Sequence, residues 1–200
     1  MGNIINFDIP DGVRLANNCK DYILNNPRVQ PVIERPEWVY DKIEYNAFTF
    51  PHSSLTELYH HIRNNFWSKA EESGVNAIMP HYIQGWVNVF HKGEKIGWHA
   101  HVPENYPNMY HGVFYVSSPK DSYTLYAEPG SKNDSEPKIL EKIKSIQGDC
   151  HIINDMTTPH TSTENTSDEP RITIAFDIVG FDYYENLWPR PSVMLSLIHI

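Results

Sequence analysis

The segment GWHAHVPENY, residues 97–106, places two imidazoles one residue apart, at His99 and His101. On a β-strand, residues i and i+2 project from the same face. His99 and His101 would therefore stand side by side, as two ligands of one metal ion must. A bystander reading competes, because the chain has 11 histidines in 200 residues and close pairs arise by chance. A third ligand would separate the two readings. His160, in NDMTTPHTST, follows a Gly148-Asp149 turn and the apolar run Cys150 to Ile153, and Pro159 holds the backbone before it extended. His-x-His plus a distant His is a facial set with open coordination positions, which structural sites lack. His60 and His61 lie in a helical pattern and read as surface or half-buried helix residues.

Eleven residues after His160 comes Arg171, in PRITIAF. On a strand, Arg171, Thr173 and Ala175 share one face, and Ile172, Ile174 and Phe176 share the other. An Arg pointing inward is costly unless it meets an anion. Its planar guanidinium suits a carboxylate held through two hydrogen bonds. The plainer alternatives are an edge-strand Arg in solvent, or one paired to Asp177 or Glu169.

The elements that must position these residues follow from periodicity. Residues 11–25 carry apolar positions at helical spacing, with Asp11 as the expected cap. Residues 53–73 form the clearest helix, from a Ser53 or Ser54 cap through Leu55, Leu58, Ile62, Phe66 and Ala70. WVYDKIEYNAF, 38–48, reads as a strand. After Pro80 the pattern changes to alternation, with Ile83, Gly85, Val87 and Val89 opposite Tyr82, Trp86, Asn88 and Phe90. Short strands ended by Pro and Gly follow, and the polar stretch 130–147 reads as a surface loop with a helical turn. Helices first and short strands later predict a mainly β protein with flanking helices, built as a double-stranded β-helix, the jelly-roll or cupin-like barrel. One domain is expected over 1–200: helix and strand support over 1–80, the double-stranded β-helix over 81–180, and a C-terminal extension over 181–200.

Composition narrows the classes. Hydrophobic residues are 40% and aromatics 12%, which is globular. A net charge of −9 argues against duplex nucleic acid as partner. No apolar run approaches the length of a membrane span, and no signal peptide is apparent. Cys19 and Cys150 form no CxxC pair, which with the foregoing predicts a reduced, cytoplasmic chain.

With these residues in place, WVNVFHKGEKIGWHAHVPENYPNMYHGVFYVSSP followed by GDCHIINDMTTPHTSTENTSDEPRITIAFDI resembles the Fe(II)/2-oxoglutarate-dependent oxygenase superfamily. It is most similar to members with His-x-His before a GVYYV-like strand and a RISIAFN-like end. The likeness runs from Trp86 to Ile178, about half the chain. It implies Fe(II) on His99, His101 and His160, with 2-oxoglutarate chelating the iron. Arg171 would hold the far carboxylate and Thr173 would add a hydroxyl, with Asn88 and Tyr115 lining the cosubstrate pocket. It implies hydroxylation of a C–H bond in a small-molecule or peptide substrate, with O2 consumed and 2-oxoglutarate leaving as succinate. It names no protein side chain as a catalytic acid or base.

The chain departs from that family at one position. Most members have His-x-Asp or His-x-Glu, whereas here the second position is His101, which leaves the site one unit more positive. Glu104 is a candidate for the missing carboxylate, and a loop carboxylate in solvent is its plainer reading. Tyr106, Tyr110 and His111 are candidates for a substrate wall. Three rivals stand beside this reading: a three-His cupin metalloenzyme without 2-oxoglutarate, a zinc site with a nucleophilic water, and a non-catalytic jelly-roll binding module. Arg171 distinguishes the first, since a cupin needs no cosubstrate anchor.

Overall fold

The alternation after Pro80 becomes strand β2 (His81–Phe90), and its two faces meet different surroundings. The structure, a computed structural model, describes residues 4–29, 46–73, 80–101, 109–128, 137–181 and 195–196. Ile83, Val87 and Val89 face an apolar core shared with the helices, while Trp86, Asn88 and Phe90 face a pocket. The same division runs along β8 (Arg171–Gly180). Ile172, Ile174, Phe176 and Ile178 enter the core, while Arg171, Thr173 and Ala175 line the pocket.

Besides these, the strands are β1 (Ile4–Phe7), β3 (Met109–Ser117), β4 (Tyr123–Ala127), β5 (Ile139–Lys144), β6 (Cys150–Ile153), β7 (His160–Ser162) and β9 (Leu195–Ser196). They form two antiparallel sheets, a six-stranded one in the order β1-β6-β3-β8-β2-β9 and a three-stranded one in the order β5-β4-β7. From β2 onward the chain passes repeatedly between the sheets, so sequence neighbours are rarely sheet neighbours. The pocket lies between them, lined by β2, β3 and β8 on one side and β4 and β7 on the other.

Helices α1 (Gly12–Asn25) and α2 (Ser53–Ser73) cover the outer face of the large sheet. Leu15, Ala16, Cys19 and Ile23 of α1 and Leu55, Leu58, Ile62 and Phe66 of α2 are buried there, against Phe114, Ile152, Ile174 and Phe176. Burying each such large apolar side chain contributes about 1.5–3 kcal/mol, so the wall carrying the inward polar residues is backed by the best-packed part of the molecule. Gly112 marks how close this packing is: a Cβ there would meet Phe176 Cζ at 2.3 Å and Ile152 Cγ2 at 2.8 Å. Cys19 and Cys150 are both buried free thiols. No described helix is long and apolar enough to cross a membrane.

Three local expectations differ from the structure. Asp11 precedes α1 but in the left-handed region (φ 52°), so its carboxylate makes no cap and instead accepts from Arg14 Nε at 2.6 Å. Of the strand expected over 38–48, residues 38–45 lie outside the described residues, and Ala47–Thr49 is a short 3₁₀ turn. Asn46 fixes that turn by accepting from Phe48 N and Gly85 N and donating to the Ile83 carbonyl. Within the stretch expected to be a loop, Ile139–Lys144 is strand β5, at the edge of the small sheet. Its pairing with β4 supplies backbone partners that polar composition alone did not signal.

Candidate metal centre and its pocket

His160 opens β7, and His99 stands opposite it in an isolated antiparallel bridge. Their main chains exchange both hydrogen bonds, His99 N to His160 O at 3.1 Å and His160 N to His99 O at 2.9 Å. Two residues on, His101 N donates to Met156 O at 3.0 Å. This backbone lacing brings the three imidazoles together: one ring nitrogen from each of His99, His101 and His160 lies within 4.8 Å of the others, close enough to hold a metal ion.

The hydrogen bonds of the rings show which nitrogens are available. Nδ1 of His99 lies 2.9 Å from the Gly97 carbonyl, Nδ1 of His160 lies 3.2 Å from the Thr158 carbonyl, and Nδ1 of His101 lies 2.7 and 2.9 Å from the Asp177 carboxylate oxygens. Each of these partners is an acceptor, so each Nδ1 carries the hydrogen, which in the neutral rings of His99 and His160 leaves the lone pair on Nε2. Burial first, and then the neighbouring imidazoles, push the His99 pKa down to about 4 and that of His160 well below its usual value. Imidazole nitrogens drawn together are the donor set a borderline divalent metal takes, and the outer hydrogen bonds are those that orient such ligands. The residues present therefore fit a metal.

Two further side chains belong to this cluster. His111 on β3 packs its ring 4.1 Å from that of His101 and 4.5 Å from that of His160. Its Nδ1 lies 3.0 Å from Asp177 Oδ1. Burial, followed by His101, pushes the His111 pKa down to about 4. Burial raises the pKa of Asp177, but the neighbouring His101 and the hydrogen bonds from His101 and His111 outweigh it, and the net direction is down. Trp86 covers the pair, its ring 5.5 Å from His101 and 6.2 Å from His111. From sequence His111 is a candidate for the substrate wall and Asp177 a possible partner for Arg171; the structure joins them to each other instead. The available signal was that 171, 173, 175 and 177 alternate, which places an acid on the inward face of a buried strand.

Arg171 does not meet Asp177. Arg171 is 3% exposed and its guanidinium is held by hydroxyls: Nε donates to Ser122 at 2.9 Å, and Nη2 to Thr124 at 3.2 Å and Ser145 at 3.4 Å. Among the described residues no carboxylate forms an ion pair with it. Burial lowers its pKa, yet a guanidinium stays charged at neutral pH. Thr173 lies beside it on the pocket face and accepts from Asn88 Nδ2 at 3.3 Å. Tyr115 stands behind, its hydroxyl 2.8 Å from Thr124 Oγ1 and its ring 5.9 Å from the guanidinium carbon.

The pocket thus has imidazoles at one end, His99, His111 and His160, and a cation at the other, with Trp86, Phe90, Ile96 and Val113 between. It encloses about 370 Å³, its solvent-open mouth included. Tyr110, expected near the pocket, points the other way and packs edge-on against Phe66 in the core, because it and His111 occupy opposite faces of β3. Glu104 and Tyr106 lie outside the described residues. His60 is exposed and His61 half-buried on α2, remote in sequence and role from the cluster.

No protein-family model matches the chain, and neither does any curated protein. Solved structures do share its fold. A nickel complex of the non-heme monooxygenase ThoJ aligns over 90% of this chain and 74% of its own with a TM-score of 0.57 at 12% identity. AviO1 from Streptomyces viridochromogenes Tue57 aligns over 89% and 90% at 0.57 and 14%. A prolyl-4-hydroxylase from Pseudomonas putida aligns over 89% and 86% at 0.57 and 9%. At such identities the likeness is one of fold: a mainly β chain with two helices, arranged as in non-haem oxygenases.

Proposed function

We propose that this protein is a non-haem Fe(II) oxygenase that uses 2-oxoglutarate, and that its described strands form the double-stranded β-helix of that superfamily. The interleaved order β6-β3-β8-β2 in one sheet and β5-β4-β7 in the other, with His99 bridged to β7, supports that architecture. One observation carries the functional reading. Two of three converging imidazoles, His99 and His160, and a buried arginine with no carboxylate partner among the described residues line one pocket. A ligand that chelates a metal at one end and presents a carboxylate at the other answers both.

On this reading His99, His101 and His160 hold the iron, and their hydrogen-bonded Nδ1 atoms keep the rings turned to it. Arg171 binds the far carboxylate, and Ser122, Thr124 and Ser145 keep its guanidinium aimed into the pocket. Thr173 and Asn88 line the path between, and Tyr115 supports Thr124 from behind. Trp86, Phe90, Ile96 and Val113 keep that path apolar and exclude water from it. When bound, Fe(II) and 2-oxoglutarate supply the oxidation of a substrate C–H bond by O2, the cosubstrate leaving as succinate and CO2. The protein contributes placement, and no described side chain is needed as acid or base.

Anaerobic titration tests this. Addition of 2-oxoglutarate to the Fe(II)-loaded protein should produce a visible metal-to-ligand charge-transfer band that is lost on admitting O2. Iron bound with no band would favour a three-His metalloenzyme that does not use 2-oxoglutarate. Absence of any metal binding would favour a non-catalytic module.

A further inference from the structure

Most sites of this architecture supply one carboxylate among their ligands, and His101 replaces it here. The structure nevertheless keeps an acid within one ring of that position. We propose that Asp177 is the outer carboxylate of the metal centre, holding His101 as a ligand and returning through its ring the negative charge that a directly bound Asp would bring. This rests on the reading of His99, His101 and His160 as the metal site.

Four observations carry it. Both carboxylate oxygens of Asp177 face Nδ1 of His101, at 2.7 and 2.9 Å. Asp177 and His111 are direct cross-strand partners on β8 and β3, so their side chains leave the same face side by side, and His111 Nδ1 holds Oδ1 at 3.0 Å. The carboxylate is thus clamped by two N–H donors. The side chains of His101 and Asp177 are 1% and 4% exposed, so the contact is poorly screened by water. Finally, the acid does nothing else: it pairs with no cation among the described residues besides these imidazoles, and it does not reach Arg171 on its own strand. A buried aspartate serving only two histidines, one of them a metal-ligand candidate, has the form of an outer partner that orients a ligand and raises its basicity.

His111 then acquires a definite part. It fixes the carboxylate by donating to it while its ring packs against His101, so it is a positioning residue one step further out.

The test is a cycle of variants read by metal binding alone. Co(II) is titrated into metal-free protein, with its visible absorption and a competing chelator giving affinity, and far-UV circular dichroism and thermal unfolding checking the fold. The parent should bind one equivalent. Asp177→Asn keeps the shape and one acceptor oxygen but removes the charge, and should bind Co(II) about 10–100-fold more weakly. His101→Asp removes the ring through which Asp177 acts, and in that background Asp177→Asn should leave the affinity nearly unchanged. The effect of Asp177→Asn therefore depends on the His101 imidazole.

A merely structural aspartate would weaken binding in both backgrounds, and that result, or an unchanged affinity of Asp177→Asn in the parent, overturns the proposal. If the single variant does not fold, comparing His101→Asp with His101→Asp/Asp177→Asn still decides, because weaker binding by the double variant overturns it. A parent that binds no Co(II) overturns the metal reading itself, a different outcome from a parent that binds and is indifferent to Asp177.

Discussion

Replacing Arg171 with methionine keeps much of its length and apolar stem while deleting the guanidinium. Three hydroxyls, of Ser122, Thr124 and Ser145, now orient that guanidinium, and no carboxylate among the described residues neutralises it. The far carboxylate of 2-oxoglutarate would be its anion. Removing one partner of a desolvated, hydrogen-bonded charge pair costs about 2–5 kcal/mol, which is roughly a 30- to several-thousand-fold loss of affinity. Arg171→Lys should fall between, since the ammonium keeps the charge but cannot satisfy three hydroxyls and a carboxylate from one planar fork. Metal affinity should stay within a few-fold in both variants, because Arg171 touches none of the imidazoles. Isothermal calorimetry under nitrogen, on protein loaded with Fe(II) or Ni(II), separates the two quantities. An Arg171→Met variant that binds 2-oxoglutarate as tightly as the parent would refute the anchor role. Equal losses of metal and cosubstrate would refute the selectivity on which the argument depends.

Alanine at His99, His101 or His160 should each lower Co(II) or Fe(II) affinity by more than the 10–100-fold typical of an outer partner, measured by chelator competition. His151 Nε2 lies 2.8 Å from the Tyr126 hydroxyl, and burial first, then His111 and Arg171, push its pKa down to about 3. In the unfolded chain it protonates near its ordinary value of about 6.5, so the unfolded state binds the extra proton and stability is lost as pH falls below that value toward 3. His151→Gln should flatten this acid-side slope in denaturant titrations at pH 7.5, 6 and 5. Gly112→Ala forces a methyl against Phe176 and Ile152, and should destabilise the fold by about 1–3 kcal/mol, seen as a lower Tm with little change in metal affinity for the protein that remains folded.

The parts of the site readable in the sequence are those set by strand periodicity. Alternation alone placed Trp86, Asn88 and Phe90 on one face of β2 and Arg171 and Thr173 on one face of β8, and the structure has them there. The convergence of His99, His101 and His160 was also an expectation of spacing, and their ring nitrogens do come together. What periodicity cannot supply is which strands become neighbours. His111 and Asp177 are 66 residues apart and meet only because β3 pairs with β8 in one particular register. Asp177 was weighed as a partner for Arg171, yet six residues along an extended strand is about 20 Å, too far for an ion pair. β5 was missed for a related reason: its six residues are almost wholly exposed, so hydrophobic pattern carries little signal and the backbone pairing with β4 decides.

The main-chain bridge between His99 and His160 has a bearing on how such a centre is loaded. Both residues spend their backbone N–H and C=O on each other, and His101 is tied to Met156. These are main-chain bonds, none of which passes through a ring nitrogen. On the metal reading the centre would be a socket, unlike zinc modules whose folding free energy is the metal's own binding energy. Chelation should empty it without unravelling the chain. An ion then adds stability only by mass action, about 2.7 kcal/mol at a hundred times its dissociation constant. On that reading the polypeptide would be made first and filled afterwards, one divalent ion would exchange for another without refolding, and which metal occupies three imidazoles would be decided by the local supply of metals as much as by the protein.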